Sequence, residues 1–117
     1  MTTTALRTRP LIAVISRLPL FVEAVRGAFD GIADVQSVSA DDVAAEGLVR
    51  AFHPNVVIVE GAELDVTDLA VPCLRVELQS ERVSILRSGV WQALEIDLSP
   101  EAIRNVAVAA LYGGDSA

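Results

Sequence analysis

Phe52-His53-Pro54-Asn55-Val56-Val57-Ile58-Val59-Glu60-Gly61 is the stretch whose reading decides the fold of this chain. Four successive β-branched residues, Val56 to Val59, make a continuous apolar run. Such a run suits a strand buried on both faces, not one that alternates between core and solvent. Ahead of it, His53-Pro54 stops a helix and turns the chain, because proline lacks an N–H and disfavours helical geometry in the residue before it. The strand delivers one carboxylate, Glu60, to its C-terminal end. Open parallel α/β sheets place their ligand and reaction sites at that end, so Glu60 belongs at a functional rim.

Working outward toward the N-terminus, Leu11 to Ile15 is a second apolar run, set off by Pro10 and ending at Ser16-Arg17. It reads as a short buried strand. From Leu18 the period changes: Pro19 suits a first helical turn, and Phe21, Ala24, Val25, Ala28, Phe29 and Ile32 recur three or four apart until Gly31 closes the helix. Asp34 to Ser39 holds Val35 and Val38 between polar residues and predicts a weaker strand. Asp41-Asp42 then places acidic residues at the positive end of a helix, with Val43, Ala44, Gly47, Leu48 and Ala51 as its expected buried face. Strand, helix, strand, helix, strand with short connections predicts right-handed crossovers in a doubly wound α/β sheet.

Beyond Glu60 the expected elements are a short helix over Glu63 to Ala70 and a strand over Val71 to Leu78, opening at Pro72. Val83 to Leu86, Ser88-Gly89 and Val90 to Ile96 read as strand, tight turn, strand. Leu78 to Val83 leaves no room for a helix, so a β-hairpin stands where a helix would be expected and the mostly parallel sheet becomes mixed. Ser99 is a good N-cap, Pro100 fits the first helical position, and Ile103, Val106, Ala107, Ala110 and Leu111 make the stripe of a last helix that Gly113-Gly114 ends. A single domain is expected over residues 10–113, with a disordered start (1–9) and a mobile tail (114–117).

Composition narrows the function classes. A chain of 117 residues buries roughly two thirds of its extended surface, enough for one core without staples. Its net charge is −7, and all nine basic residues are arginines placed singly. A grip on phosphate backbones needs a basic stripe, so direct nucleic-acid binding is not expected. Hydrophobic residues make up 52%, yet no stretch approaches the ~20 apolar residues of a membrane span. Met1 to Arg9 has no apolar core of a signal peptide, and a cytoplasmic location is expected. One cysteine, Cys73, excludes an internal disulfide, and it reads as a buried, inert thiol. One histidine, His53, reads as a turn residue. No cofactor or metal is expected.

Leu11-Ile12-Ala13-Val14-Ile15, Leu18-Pro19-Leu20-Phe21-Val22-Glu23-Ala24-Val25-Arg26 and Pro54-Asn55-Val56-Val57-Ile58-Val59 resemble the first strand, first-helix entry and third strand of bacterial response-regulator receiver domains, particularly the NarL/FixJ type. The resemblance covers about residues 10 to 61, with a generic echo in the Ser99-Pro100-Glu101 helix. It implies a flavodoxin-like, receiver-like sheet with a remodelled C-terminal half. Receivers phosphorylate an aspartate at the end of the third strand, where this chain has Glu60. They hold magnesium with an acidic pair after the first strand, where this chain has Ser16 and Arg17. Their fifth-strand lysine has no counterpart in a chain without lysine. No DNA-binding helix-turn-helix is expected to follow either.

Three chemical requirements of aspartyl phosphorylation therefore fail together, since a hard cation wants oxygen anions and an arginine repels it. The expected function is a phosphorylation-independent pseudo-receiver, a protein–protein interaction module in signalling that acts by binding and not as an enzyme. Its degenerate pocket would comprise Glu60, Ser16 and Arg17, with an Arg17–Glu60 ion pair as one arrangement. The alternative is a small-ligand or anion-sensing domain seated on Ser16, Arg17 and the amides at the start of the first helix. Glu63, Asp65 and Asp68 form an acidic run without a complementary acid, base or metal set, so they read as a solvated loop. A protein partner or a homodimer is expected along Val83, Ile85, Val90, Trp91 and Leu94, because tryptophan is enriched at interfaces and a hairpin edge invites pairing.

Overall fold

The structure is a computed structural model that describes residues 9–61, 71–87 and 89–112. The elements run β1 (Leu11–Ser16), α1 (Pro19–Ala28), β2 (Asp34–Ser39), α2 (Ala45–Phe52), β3 (Val56–Glu60), β4 (Cys73–Glu77), β5 (Arg82–Arg87), β6 (Val90–Leu94) and α3 (Pro100–Tyr112). The six strands form one sheet in the order β2-β1-β3-β4-β5-β6. The first four are parallel, and β5 and β6 return antiparallel. The protein is therefore an α/β domain with a mixed sheet. The segment before Arg9, the helix expected at Glu63 to Ala70 and the tail expected at 114–117 lie outside the described residues.

The apolar runs explain the centre of this sheet. Leu11 to Ile15 and Val56 to Val59 are buried along their whole length, because helices cover both faces of the sheet where they lie. Ile12, Val14, Val56 and Ile58 point into a layer made by Phe21 and Val25 of α1, Phe29 just after it, and Ile103 and Ala107 of α3. Ala13, Ile15, Val57 and Val59 point the other way, onto Ala45 and Val49 of α2. Full burial of a valine, leucine, isoleucine or phenylalanine side chain stabilises by ~1.5–3 kcal/mol, so these two strands anchor the domain.

Local chemistry sets the boundaries. Pro19 sits in the first turn of α1, where its missing N–H costs nothing, and the amides of Phe21 and Val22 both donate to the Leu18 carbonyl. Ser99 caps α3 through its Oγ, which accepts from the Ala102 amide at 3.1 Å. His53 ends α2 in the left-handed conformation at φ 53°, which turns the chain into β3 and makes it the turn residue its place before Pro54 suggests. The β4–β5 connection passes Glu81 at φ 56°, and the β5–β6 connection passes Gly89 at φ 79°.

The helix α2 corrects the sequence reading. Its buried residues are Ala45 and Val49, with Phe52 packed beside them. Val43 is fully exposed, Leu48 is 39% exposed, and Ala44, Gly47 and Ala51 also face solvent. Asp42 is the reason. Its carbonyl accepts the Ala45 amide at 3.0 Å and its Oδ1 accepts the Ala44 amide at 2.9 Å, so residues 42–44 form a turn and the helix starts at Ala45. The 45, 49, 52 spacing then selects the buried face. In the C-terminal half, β6 stops at Leu94, two residues short of the expected Ile96.

Candidate functional site

β1 feeds β2 on one side through α1, whereas β3 adds on the other side after α2. The direction of the sheet's growth reverses between β1 and β3, and such a reversal leaves a crevice beyond the C-terminal ends of the two strands. The register pairs Ile15 with Val59, so the next residues, Ser16 and Glu60, stand side by side at the rim. Both continue the parity of Val14 and Ile58 and therefore project toward the α1 side.

Ser16 is the one buried polar residue among those described, at 5% exposure. Its Oγ donates to Glu60 Oε1 at 3.1 Å and accepts the Leu18 amide at 2.9 Å. One hydroxyl thus ties the end of β3 to the entrance of α1. The amide of Ala40 donates to the Ser16 carbonyl at 3.2 Å, and that of Gly61 donates to the Val76 carbonyl at 2.7 Å. Gly61 turns away from β3 at φ 100°, a conformation that glycine adopts without the Cβ penalty.

Arg17 falls on the opposite parity, toward the α2 side. Its Nε lies 2.9 Å from Asp41 Oδ1, with the two side chains 48% and 71% exposed. An exposed pair of this kind contributes ~0–1 kcal/mol. The side-chain hydroxyl of Ser16, not the guanidinium of Arg17, is what the structure sets against Glu60, since one step along an extended chain reverses the face. The expected pocket residues Ser16 and Glu60 are thus brought together, and Arg17 is directed to Asp41.

The second expected region divides in two. Val83 and Ile85 are each 2% exposed, buried in the same layer as Ile103 and Ala107 of α3, so they belong to the core and not to a surface. Val90 is 66% exposed, and Trp91 and Leu94 are half-buried. Of these five residues, only the three on β6 retain exposure. Reading the sequence missed Arg75, whose guanidinium carbon lies 4.1 Å from the Trp91 ring centroid. Its Nε is buried with no hydrogen-bond partner. A cation held over an indole face contributes ~0.5–2 kcal/mol, and it fixes the ring across β5. The available signal was an arginine interrupting the apolar run from Val71 to Val76.

Cys73 is fully buried, and burial pushes its thiol up from 9.0 to about 12. It is protonated at neutral pH and chemically quiet. Concave places occur at the other end of the sheet. One of about 310 Å³ is lined by Val49, Arg50, His53, Pro54 and Val71, and one of about 570 Å³ includes Arg9, Arg26, Asp30 and Asp34. Among the described residues, no group of three His, Cys, Asp or Glu side chains could hold a metal ion. None of the described helices is long and apolar enough to cross a membrane.

Fold and rim together define a small α/β domain with a mixed six-stranded sheet and a serine–carboxylate pair at its β1–β3 crevice. In comparisons with known proteins, no family model and no curated protein matches the chain.

Proposed function

We propose that this protein is a receiver-like interaction module that works without phosphorylation, in signalling or regulation. The observation that carries this reading is the Ser16 Oγ to Glu60 Oε1 hydrogen bond at 3.1 Å. The parallel part of the sheet has the order 2-1-3-4, the order of flavodoxin-like sheets, whose switch point lies between β1 and β3. At that point an aspartyl-phosphorylating domain needs a short acidic acceptor, oxygen anions for magnesium and a mobile cation for the phosphoryl group. Here the carboxylate is longer by a methylene, its neighbour on β1 is a serine that also holds the Leu18 amide, and Arg17 reaches Asp41. The rim is tied as a rigid feature and not kept open as a reaction centre. The same bonds weigh against an anion seat, because the Ser16 hydroxyl and the Leu18 amide are already spent on each other.

Incubating the protein with acetyl phosphate and magnesium, then measuring intact mass and capturing partners from its native lysate, tests the proposal. The expected outcome is no phosphoryl adduct on the wild type or on Glu60→Asp, and a bound partner that is the same with and without the phosphoryl donor. An adduct mapped to Glu60, or a partner recruited only after treatment, would overturn it.

A further inference from the structure

The two edges of the sheet are treated in opposite ways. An edge strand presents unpaired N–H and C=O groups, and proteins that stay monomeric blunt such edges with charge, proline or a covering group. The β2 edge is covered: Arg26 Nη1 donates to the Val35 carbonyl at 3.0 Å and its Nη2 to Ser37 Oγ at 3.3 Å. Asp34, at the start of the strand, adds a charge. Among the described residues, the β6 edge has none of these devices. Val90-Trp91-Gln92-Ala93-Leu94 contains no charge and no proline, in a chain whose net charge is −7.

We infer that β6 pairs with β6 of a second copy, antiparallel, about a two-fold axis through Gln92, and so joins two sheets into one of twelve strands. This names the partner surface of the interaction module proposed above, and it does not depend on the chemistry at Glu60. A two-fold normal to the sheet keeps each face continuous, so residues opposite each other must share a face. That condition restricts the axis to a residue position, and Trp91, Gln92 and Ala93 are the candidates within the strand.

Only the axis at Gln92 uses all of β6. It sets Val90 against Leu94 of the second copy on the α3 side, which covers the 66% exposed Val90. On the other face it sets the large Trp91 against the small Ala93. An axis at Trp91 stacks two indoles opposite each other and leaves Leu94 without a counterpart. An axis at Ala93 brings the Glu95 carboxylate opposite Trp91. Hydrogen bonding agrees with the Gln92 register. Arg87 and Val90 pair across a two-residue connection, so they close the hairpin as a hydrogen-bonded pair. Alternation then turns the N–H and C=O groups of Trp91 and Ala93 outward. These are the groups that bond across the Gln92 axis, Trp91 with Ala93 of the second copy and the reverse. The occupant is a copy and not a foreign strand because the ladder is complementary to itself and keeps carboxylates off the seam, where two acidic chains would repel.

Sedimentation of the wild type across a wide concentration range, with Ala93→Lys, Ala93→Pro and Gln92→Cys alongside, tests the inference. The wild type is expected at twice the chain mass of 12.4 kDa. Both Ala93 variants should be monomeric with unchanged circular dichroism, since position 93 is exposed and a proline there removes only an outward donor. Under mild oxidation Gln92→Cys should form a covalent dimer, because directly opposed residues of a non-hydrogen-bonded pair lie ~4.5 Å apart at Cα, within disulfide range. The wild type, whose thiol is buried, should not. A wild type that is monomeric at every concentration, a dimer indifferent to both Ala93 variants, or a Gln92→Cys dimer that does not cross-link would overturn it. A folded monomer that instead captures a foreign chain through β6 would also overturn it, while leaving the phosphorylation test above unaffected.

Discussion

Replacing Ser16 with alanine removes one hydroxyl from the rim and leaves everything else in place, and its cost can be worked from two contacts. The Ser16 Oγ accepts the Leu18 amide at 2.9 Å, and a neutral bond of this kind contributes ~1 kcal/mol net. It also donates to the Glu60 carboxylate at 3.1 Å. Bonds to charged groups contribute ~1.5–3 kcal/mol, but Glu60 is only half-buried and regains water when the donor leaves, so ~1 kcal/mol is the appropriate share. Ser16→Ala should therefore destabilise by about 2 kcal/mol and lower the melting temperature by roughly 10 °C for a domain of this size. Urea unfolding of wild type, Ser16→Ala, Glu60→Ala and the double variant isolates the side-chain pair, because truncation of the Glu60 methylenes cancels in the cycle. The expected coupling is about 1 kcal/mol. A coupling within about 0.3 kcal/mol of zero would refute the claim that this hydroxyl ties β3 to β1 and α1.

Three further outcomes check the core. Cys73 should not react with a thiol reagent at pH 8 in the folded protein and should react at once in denaturant, since its thiol sits at about 12. Between pH 9 and 12 the unfolded chain loses this proton and the folded chain keeps it, so the thiol's contribution to stability is complete below pH 9 and is lost as pH rises toward 12; Cys73→Ala should flatten that alkaline slope, and an identical slope would contradict the buried thiol. On α2, Val49→Ala should cost about 2 kcal/mol, the transfer of two methyl groups plus a cavity, whereas Val43→Ala should leave the denaturant midpoint unchanged. A loss of stability at Val43 with none at Val49 would mean that α2 packs through the face the bare sequence pattern suggests.

The sequence by itself determined that the buried strands exist and in what order they come, with their ends placed to within one or two residues: β4 runs over Cys73–Glu77 where the sequence suggests Val71 to Leu78. Val56 to Val59 and Leu11 to Ile15 suit strands covered on both faces by their length and β-branching, and Pro19, Pro54 and the Ser99-Pro100 pair punctuate the chain through backbone geometry that acts within a few residues. The absence of lysine and the Ser16-Arg17 pair at the end of β1 were equally legible, because residue identity is read directly from the chain.

Only the tertiary structure decided which side chains meet. Arg17 and Ser16 are neighbours in the chain, yet the parity of the strand sends the hydroxyl to Glu60 and the guanidinium to Asp41. Val83 and Ile85 read as partner-facing until α3 is laid over them, while Val90 on the adjacent strand stays open. The face of α2 turned on where Asp42 lets the helix begin, and Arg75 finds Trp91 across an intervening strand. Apart from the Asp42 turn, whose bonds reach only two and three residues along the chain, each of these depends on register or on a contact between residues distant in sequence, and such contacts are set by how the layers stack, which no local pattern encodes.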